Sequence, residues 1–223
     1  MLIKKADICI IVVLLLSSIA VISPIASVAG VDETYVSVIN PETGNSTFIL
    51  NPGTPVNTTV VANITVTNVT GLIGWQVNLT WNPNLLYIDS SSDVYLPSDH
   101  IFKDLSPIWV PPSIDNTAGY LGASCARGFG VSTTFTGSGT MFQVKFTTAK
   151  NGTGDPLSCE ITLGDKGSFP TILRKGPGEA IDFTPQNGYY YIPEFPTIVF
   201  SMLFLIATLI AFTFGKKAWS RKH

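Results

Sequence analysis

Apolar and polar residues alternate one by one through the middle of the chain. In Gly74-Trp75-Gln76-Val77-Asn78-Leu79-Thr80-Trp81, the residues Trp75, Val77, Leu79 and Trp81 fall on one side and Gln76, Asn78 and Thr80 on the other. Phe142, Val144 and Phe146 alternate with Gln143, Lys145 and Thr147, and Val60, Ala62, Ile64 and Val66 with Val61, Asn63, Thr65 and Thr67. A period of two marks a strand with one buried face. Gly, Pro, Asn, Asp and Ser break these runs into short pieces. The pattern predicts strands over 34–39, 57–69, 72–81, 85–89, 107–110, 119–126, 140–148, 158–164 and 188–192, with a short helix over 98–104 capped by Ser98. About nine such strands and no long helical period place the fold in the all-β class, as two antiparallel sheets packed face to face.

Two apolar blocks stand outside this pattern. Lys4 and Lys5 precede an apolar run from Ile8 to Ile22, and Ala26-Ser27-Val28-Ala29 follows. Residues 1–29 therefore read as a signal peptide cleaved after Ala29, the alternative being an uncleaved N-terminal anchor. Residues 197–214 carry no charge. As a helix they would span ~27 Å, about one hydrocarbon thickness. Lys216, Lys217, Arg221 and Lys222 follow in the tail 215–223, which the positive-inside rule places in the cytoplasm. The expectation is a single-pass protein of the cell membrane. Its ectodomain, 30–192, lies outside the cell, with a transmembrane helix over 197–214 and 193–196 as the linker.

Charge narrows the function. Only 13% of the 223 residues are charged and the net charge is −2. Within 30–192, seven basic residues face 13 acidic ones, a balance of −6. No basic excess exists to release counterions, which excludes phosphate-driven nucleic-acid binding. A 45% hydrophobic content excludes disorder.

Candidate chemistry is thin. His100 is the one histidine of 30–192, too few for a zinc cluster, and Ser98-Asp99-His100 lacks a nucleophile elbow. Asp89, Asp93, Asp115, Asp155, Asp165 and Asp182 are scattered in turns, where Asp ordinarily bonds the backbone. A calcium site among them is the one metal left open, and no other cofactor and no enzymatic activity are expected. Six Asn-x-Ser/Thr sequons occur, at Asn45, Asn57, Asn63, Asn68, Asn78 and Asn151. They are candidate N-glycosylation sites in an exported chain, or Asn and Thr common on polar strand faces. Cys125 and Cys159 share the inward face and remain after signal removal, as one disulfide or two buried thiols. Trp109, Tyr95, Tyr87 and Tyr120 are the aromatics that could form a platform for sugar rings.

The run Val60 to Leu86, with Gly74-Trp75-Gln76-Val77-Asn78-Leu79-Thr80-Trp81-Asn82-Pro83-Asn84-Leu85-Leu86 at its end, resembles the second and third strands of cohesin modules. Gly139-Thr140-Met141-Phe142-Gln143-Val144-Lys145-Phe146 resembles a later cohesin strand, and Asn187-Gly188-Tyr189-Tyr190-Tyr191 the closing one. The resemblance covers about 34–192. It implies a nine-stranded jelly-roll sandwich of the carbohydrate-binding-module superfamily. It also implies a protein partner of dockerin type, or another surface protein, on the sheet that holds the third strand, so Gln76, Asn78 and Thr80 become candidate contact residues. A glycan on Asn78 would stand on that face. The family's strand order sets Cys125 and Cys159 on strands flanking the third, two spacings or ~9.6 Å apart, beyond the ~7 Å reach of a disulfide. Pro193-Glu194-Phe195, an apolar span and a basic tail resemble the PEF-type sorting signal of archaeal surface proteins, which implies cleavage and transfer to a lipid; a plain anchor is the alternative. The leading expectation is a module for surface assembly or adhesion through protein contacts. The second is extracellular polysaccharide binding.

Overall fold

The computed structural model describes residues 33–150, 157–164, 169–193 and 204–208. The chain divides into two compact units, Met1–Asp32 and Glu33–His223, and every described residue belongs to the second. The signal peptide expected over 1–29 lies outside the described residues, as do Asn151, Asp155, Asp165, Glu194 and Phe195. Of the span expected over 197–214, residues 204–208 are described, as a short exposed helix. No helix among the described residues is long and apolar enough to cross a membrane.

The architecture is all-β, in two sheets. Among the described residues fourteen strands follow in order: β1 (Tyr35–Ile39), β2 (Thr47–Ile49), β3 (Thr59–Leu72), β4 (Gly74–Thr80), β5 (Leu86–Tyr87), β6 (Val94–Tyr95), β7 (Ile108–Asp115), β8 (Tyr120–Ala126), β9 (Phe135–Thr148), β10 (Leu157–Leu163), β11 (Ile172–Gly176), β12 (Glu179–Ile181), β13 (Thr184–Gln186) and β14 (Gly188–Ile192). The first sheet runs β13-β1-β3-β9-β5, with β6 also on β9. The second runs β12-β11-β4-β10-β14-β2, and on the free side of β4 it continues through β8 to β7.

Alternation decides what lies between them. Trp75, Val77, Leu79 and Trp81 from β4 and its end meet Phe142, Val144 and Phe146 from β9 in one buried core. Trp75 stacks on Phe142 at 5.1 Å and 14°, and Trp81 meets Phe146 edge-on at 5.2 Å and 71°. Such ring pairs add ~0.5–1.5 kcal/mol beyond their area burial. The Trp81 indole N–H donates to the Leu86 carbonyl at 2.8 Å, so this polar edge is satisfied inside the core.

Several expectations need correction. Residues 98–104 form consecutive turns rather than a helix: His100, Lys103 and Leu105 each donate a backbone N–H three residues back, to Pro97, His100 and Phe102. The helical turn falls earlier, at Ser91–Asp93, where Ser90 and Asp93 form a reciprocal capping box. The strand expected over 107–110 continues to Asp115 because Pro111 and Pro112 sit at a register shift of an edge strand, where a missing N–H costs nothing. The short strands β2, β6, β11, β12 and β13 lack an alternation long enough to read.

Two chain courses position the functional face. Strands β10 and β11 both run beside β4, at Leu79–Thr80 and at Gly74–Gln76, so they form one interrupted strand. Thr171 closes the excursion between them by donating its N–H to the Gly164 carbonyl at 3.0 Å. Strands β13 and β14 form a second course that changes sheets at Asn187, being parallel to β1 and then to β2. A Cβ on Gly188 would lie 2.7 Å from Val38, so the change of sheet requires glycine there. Because these pairings are parallel, β14 leaves the sandwich at the end opposite to where β1 begins.

Candidate interaction face

Two register rows cross the outer face of the second sheet. Ile108, Ala126, Gly74 and Arg174 form one, and Val110, Ser124, Gln76 and Ile172 the next. The row between them, Trp109, Cys125, Trp75 and Leu173, points into the core. Directly opposed residues share a face, so the two outer rows form one flat surface over four strands. Small side chains at its centre and larger ones at its edges leave a shallow depression of ≈ 240 Å³. Ile108 is 36% exposed and Val110 49%.

A phenyl ring stands on the turn that follows β8, three residues past Ala126. Phe129 is 97% exposed, between Gly128 and Gly130. Its base is fixed: the Gly128 N–H donates to the Leu105 carbonyl at 2.8 Å and the Arg127 N–H to the Ile73 carbonyl at 2.9 Å. An exposed ring on an anchored turn offers apolar area at little further cost in backbone entropy. Arg174 and Lys175, both exposed, give the opposite edge positive charge.

Of the three contact residues expected from the sequence, the structure assigns Gln76 to the depression. Thr80 lies further along β4, and Asn78 is wholly buried. The 169–171 segment crosses the sheet there. Asn78 Nδ2 donates to the Phe169 carbonyl at 2.9 Å, and Gln76 Nε2 to the Pro170 carbonyl at 2.8 Å. Gly122 faces Asn78 across the β4–β8 pair, and a Cβ on it would meet the Phe169 ring at 3.1 Å and the Tyr120 hydroxyl at 2.8 Å. Phe169 and Tyr120 therefore close the lower end of the face. Ile108, Val110, Ser124, Ala126, Phe129, Ile172 and Arg174 were missed. A signal existed for two of them: Ile108 and Val110 flank Trp109 at period two, two apolar side chains on the face opposite the tryptophan.

The expected sugar platform does not assemble. Trp109 is half-buried against Trp75 (5.9 Å) and Phe142 (6.2 Å). Tyr95 lies in the other sheet under the Lys145 ammonium, 5.2 Å from the ring centroid. The Tyr87 hydroxyl donates to Asn57 Oδ1 at 3.0 Å. Sequence reading also missed Tyr189 and Tyr191, which stack at 6.3 Å on the outer face of β14.

The sequons separate by environment. Asn45, Asn57 and Asn68 are exposed, Asn57 and Asn68 with positive φ of 64° and 55°. Asn63 is half-buried and accepts from Gln143 Nε2 at 2.7 Å. Asn78, expected on the solvent face, is inaccessible for the reason just given.

Cys125 and Cys159 are free. They do flank β4, but Cys125 faces Trp75 near its start, while Cys159 lies three residues beyond Thr162, the partner of Thr80 at its far end. The two are separated by two strand spacings and by about eight residues along the strand, over 20 Å. Burial pushes the Cys125 thiol up to about 12 and also raises Cys159. Among the described residues, no three His, Cys, Asp or Glu side chains gather as a metal site.

No family model matches the chain, and no curated protein matches it. Solved structures do match. The third cohesin of ScaC from Acetivibrio cellulolyticus, solved in complex with the ScaB dockerin, superposes with a TM-score of 0.55 at 13% identity over 72% of this chain and 99% of that one. A type II cohesin domain from the cellulosome of the same organism gives 0.54 at 21% identity, over 71% and 95%. A non-cellulosomal cohesin from the hyperthermophilic archaeon Archaeoglobus fulgidus gives 0.51 at 15%, over 72% and 91%. The fold is cohesin-like.

Proposed function

We propose that this protein is a non-enzymatic module of the cell surface that binds a protein partner on the outer face of β7, β8, β4 and β11. The observation that carries this reading is the pair of exposed apolar side chains Ile108 and Val110 on one face that Arg174 also lines. Apolar contact area rimmed by charge is the usual form of a protein-binding patch. The likeness to a cohesin solved with its dockerin supports the same kind of partner here. Its contact element would carry apolar side chains for the depression and an acidic group for Arg174. No cofactor enters this reading.

The uncharged segment 197–214 and the basic residues after it support membrane attachment with the sandwich outside. Attachment is a plain anchor or, after cleavage at the Pro193-Glu194-Phe195 signal, a lipid. Asn45 and Asn68 are the sequons best placed to carry glycans. The face then lies toward the end of the sheet far from the bilayer. Gly74 lies about eleven residue steps before Ile192 along the strand direction, roughly 35 Å at ~3.3 Å per residue. A role in surface assembly or adhesion follows. Polysaccharide binding stands second, because Trp109, Tyr95 and Tyr120 make other contacts.

The test is surface cross-linking with the full chain and with a Val110→Asp, Phe129→Ser variant. Both positions are exposed, so folding stability should change by less than about 1 kcal/mol. A partner captured by the parent and lost by the variant is the expected result. Equal capture by both would move the binding site elsewhere.

A further inference from the structure

Outside the helix 204–208, the large exposed apolar side chains of the described residues form two groups. Ile108 and Val110 line the face just described, and Phe129 stands on the turn after β8. Ile49, Val56 and Tyr189, at 65%, 46% and 43% exposure, lie at or near the other end. Ile49 pairs with Tyr191, and the Leu50 N–H donates to the Tyr191 carbonyl at 2.9 Å. Residues 50–58 then cross from one sheet to the other and cap this end, where the Asn57 N–H donates to the Thr148 carbonyl at 2.9 Å. Tyr191 extends the patch by stacking on Tyr189. The last outward-facing row among the described residues, Ser158, Tyr191 and Ile49, carries no charge. Glu160 stands one row further up beside Tyr189, exposed Glu42 shares a hollow with Ile49 and Leu50 and would sit among the headgroups, and Lys150 projects at the same end beyond β9.

The chain leaves the sandwich here. Ile192 ends β14, and the uncharged segment begins four residues after Pro193, at Thr197. Four residues reach at most ~14 Å. If 197–214 enters a bilayer, this end is held within one headgroup layer of its surface. Tyrosine partitions to that layer because its ring is apolar and its hydroxyl is not, and aliphatic side chains beside it gain by leaving water.

We infer that the end of the sandwich bearing Ile49, Val56, Tyr189 and Tyr191 rests on the lipid headgroups, holding the protein-binding surface at the far end of the same sheet. The inference rests on the membrane attachment proposed above, and one experiment separates the two. The full chain is reconstituted in phosphatidylcholine–phosphatidylglycerol vesicles that contain a diazirine-bearing phospholipid, irradiated, and mapped by peptide mass spectrometry. Cross-links within 197–214 and within 47–58 or 188–192, with none at 127–131, are expected. Ile49→Asp with Val56→Asp should abolish the 47–58 cross-links and leave those of 197–214 intact. Cross-links confined to 197–214 would overturn the lipid-resting end while leaving attachment standing. An absence of cross-links in 197–214 would overturn attachment and the inference with it. A glycan found on Asn57, beside Val56, also overturns the inference, because the sugar would stand where the lipid is placed.

Discussion

The side-chain amide of Asn78 donates to the Phe169 carbonyl at 2.9 Å and pins the 169–171 segment across the sheet face that alternation alone would leave open. The Asn78 N–H also donates to Thr171 Oγ1 at 3.0 Å, and its carbonyl accepts from the Gly164 N–H at 3.0 Å. One residue thus holds both ends of the excursion between β10 and β11. Its sequon is closed as a result. Glycopeptide mapping of the folded membrane protein is expected to find Asn78 unmodified and Asn45 and Asn68 accessible to modification. Asn78→Ala should lower the unfolding free energy by about 1–3 kcal/mol, the range for losing a buried hydrogen bond, while Asn45→Ala, which loses only exposed bonds from Thr43 and Thr47, costs less.

The two thiols should behave independently. In the native protein at pH 8, alkylation is expected to spare Cys125, whose burial keeps it protonated to about 12, and to modify half-buried Cys159 slowly. After denaturation without reductant, both should react at once. An intact mass two hydrogens short, with neither thiol reactive, would contradict the register that separates them.

His100 gives the protein an acid-sensitive element. It is buried, its Nδ1 accepts the Phe102 N–H at 3.2 Å, and burial holds its pKa below the ordinary 6.5, against the opposing pull of Asp99 and Asp104. The unfolded chain therefore binds this proton more readily than the folded one. The contribution is fully present above about pH 6.5 and is lost as pH falls from there through the depressed folded value. The urea midpoint of the parent should fall between pH 7.5 and pH 5 more than that of His100→Gln, and equal slopes would remove His100 as the cause.

Much of the fold is legible in the sequence because its long strands bury one face against a shared core. Trp75, Val77 and Leu79, like Phe142, Val144 and Phe146, have to point inward whatever lies beyond them. The short strands are not legible. Ile172 to Gly176 and Thr184 to Gln186 become strands because β4 and β1 offer them unpaired edges, not because their own residues alternate. The candidate site follows the same division. Gln76 was found because its strand is long and regular, whereas Arg174 and Ile172 reach the same surface only through pairing with β4.

The sequence by itself determined the all-β class, the inward set of β4 and β9, and the uncharged block near the C-terminus, because each is set by neighbours along the chain. Only the tertiary structure decided which outward residues meet water. Asn78 and Gln76 have the same periodicity, yet a segment some ninety residues later covers one and leaves the other beside an open depression. Solvent exposure of a sheet face depends on what folds across it, and no local pattern contains that information.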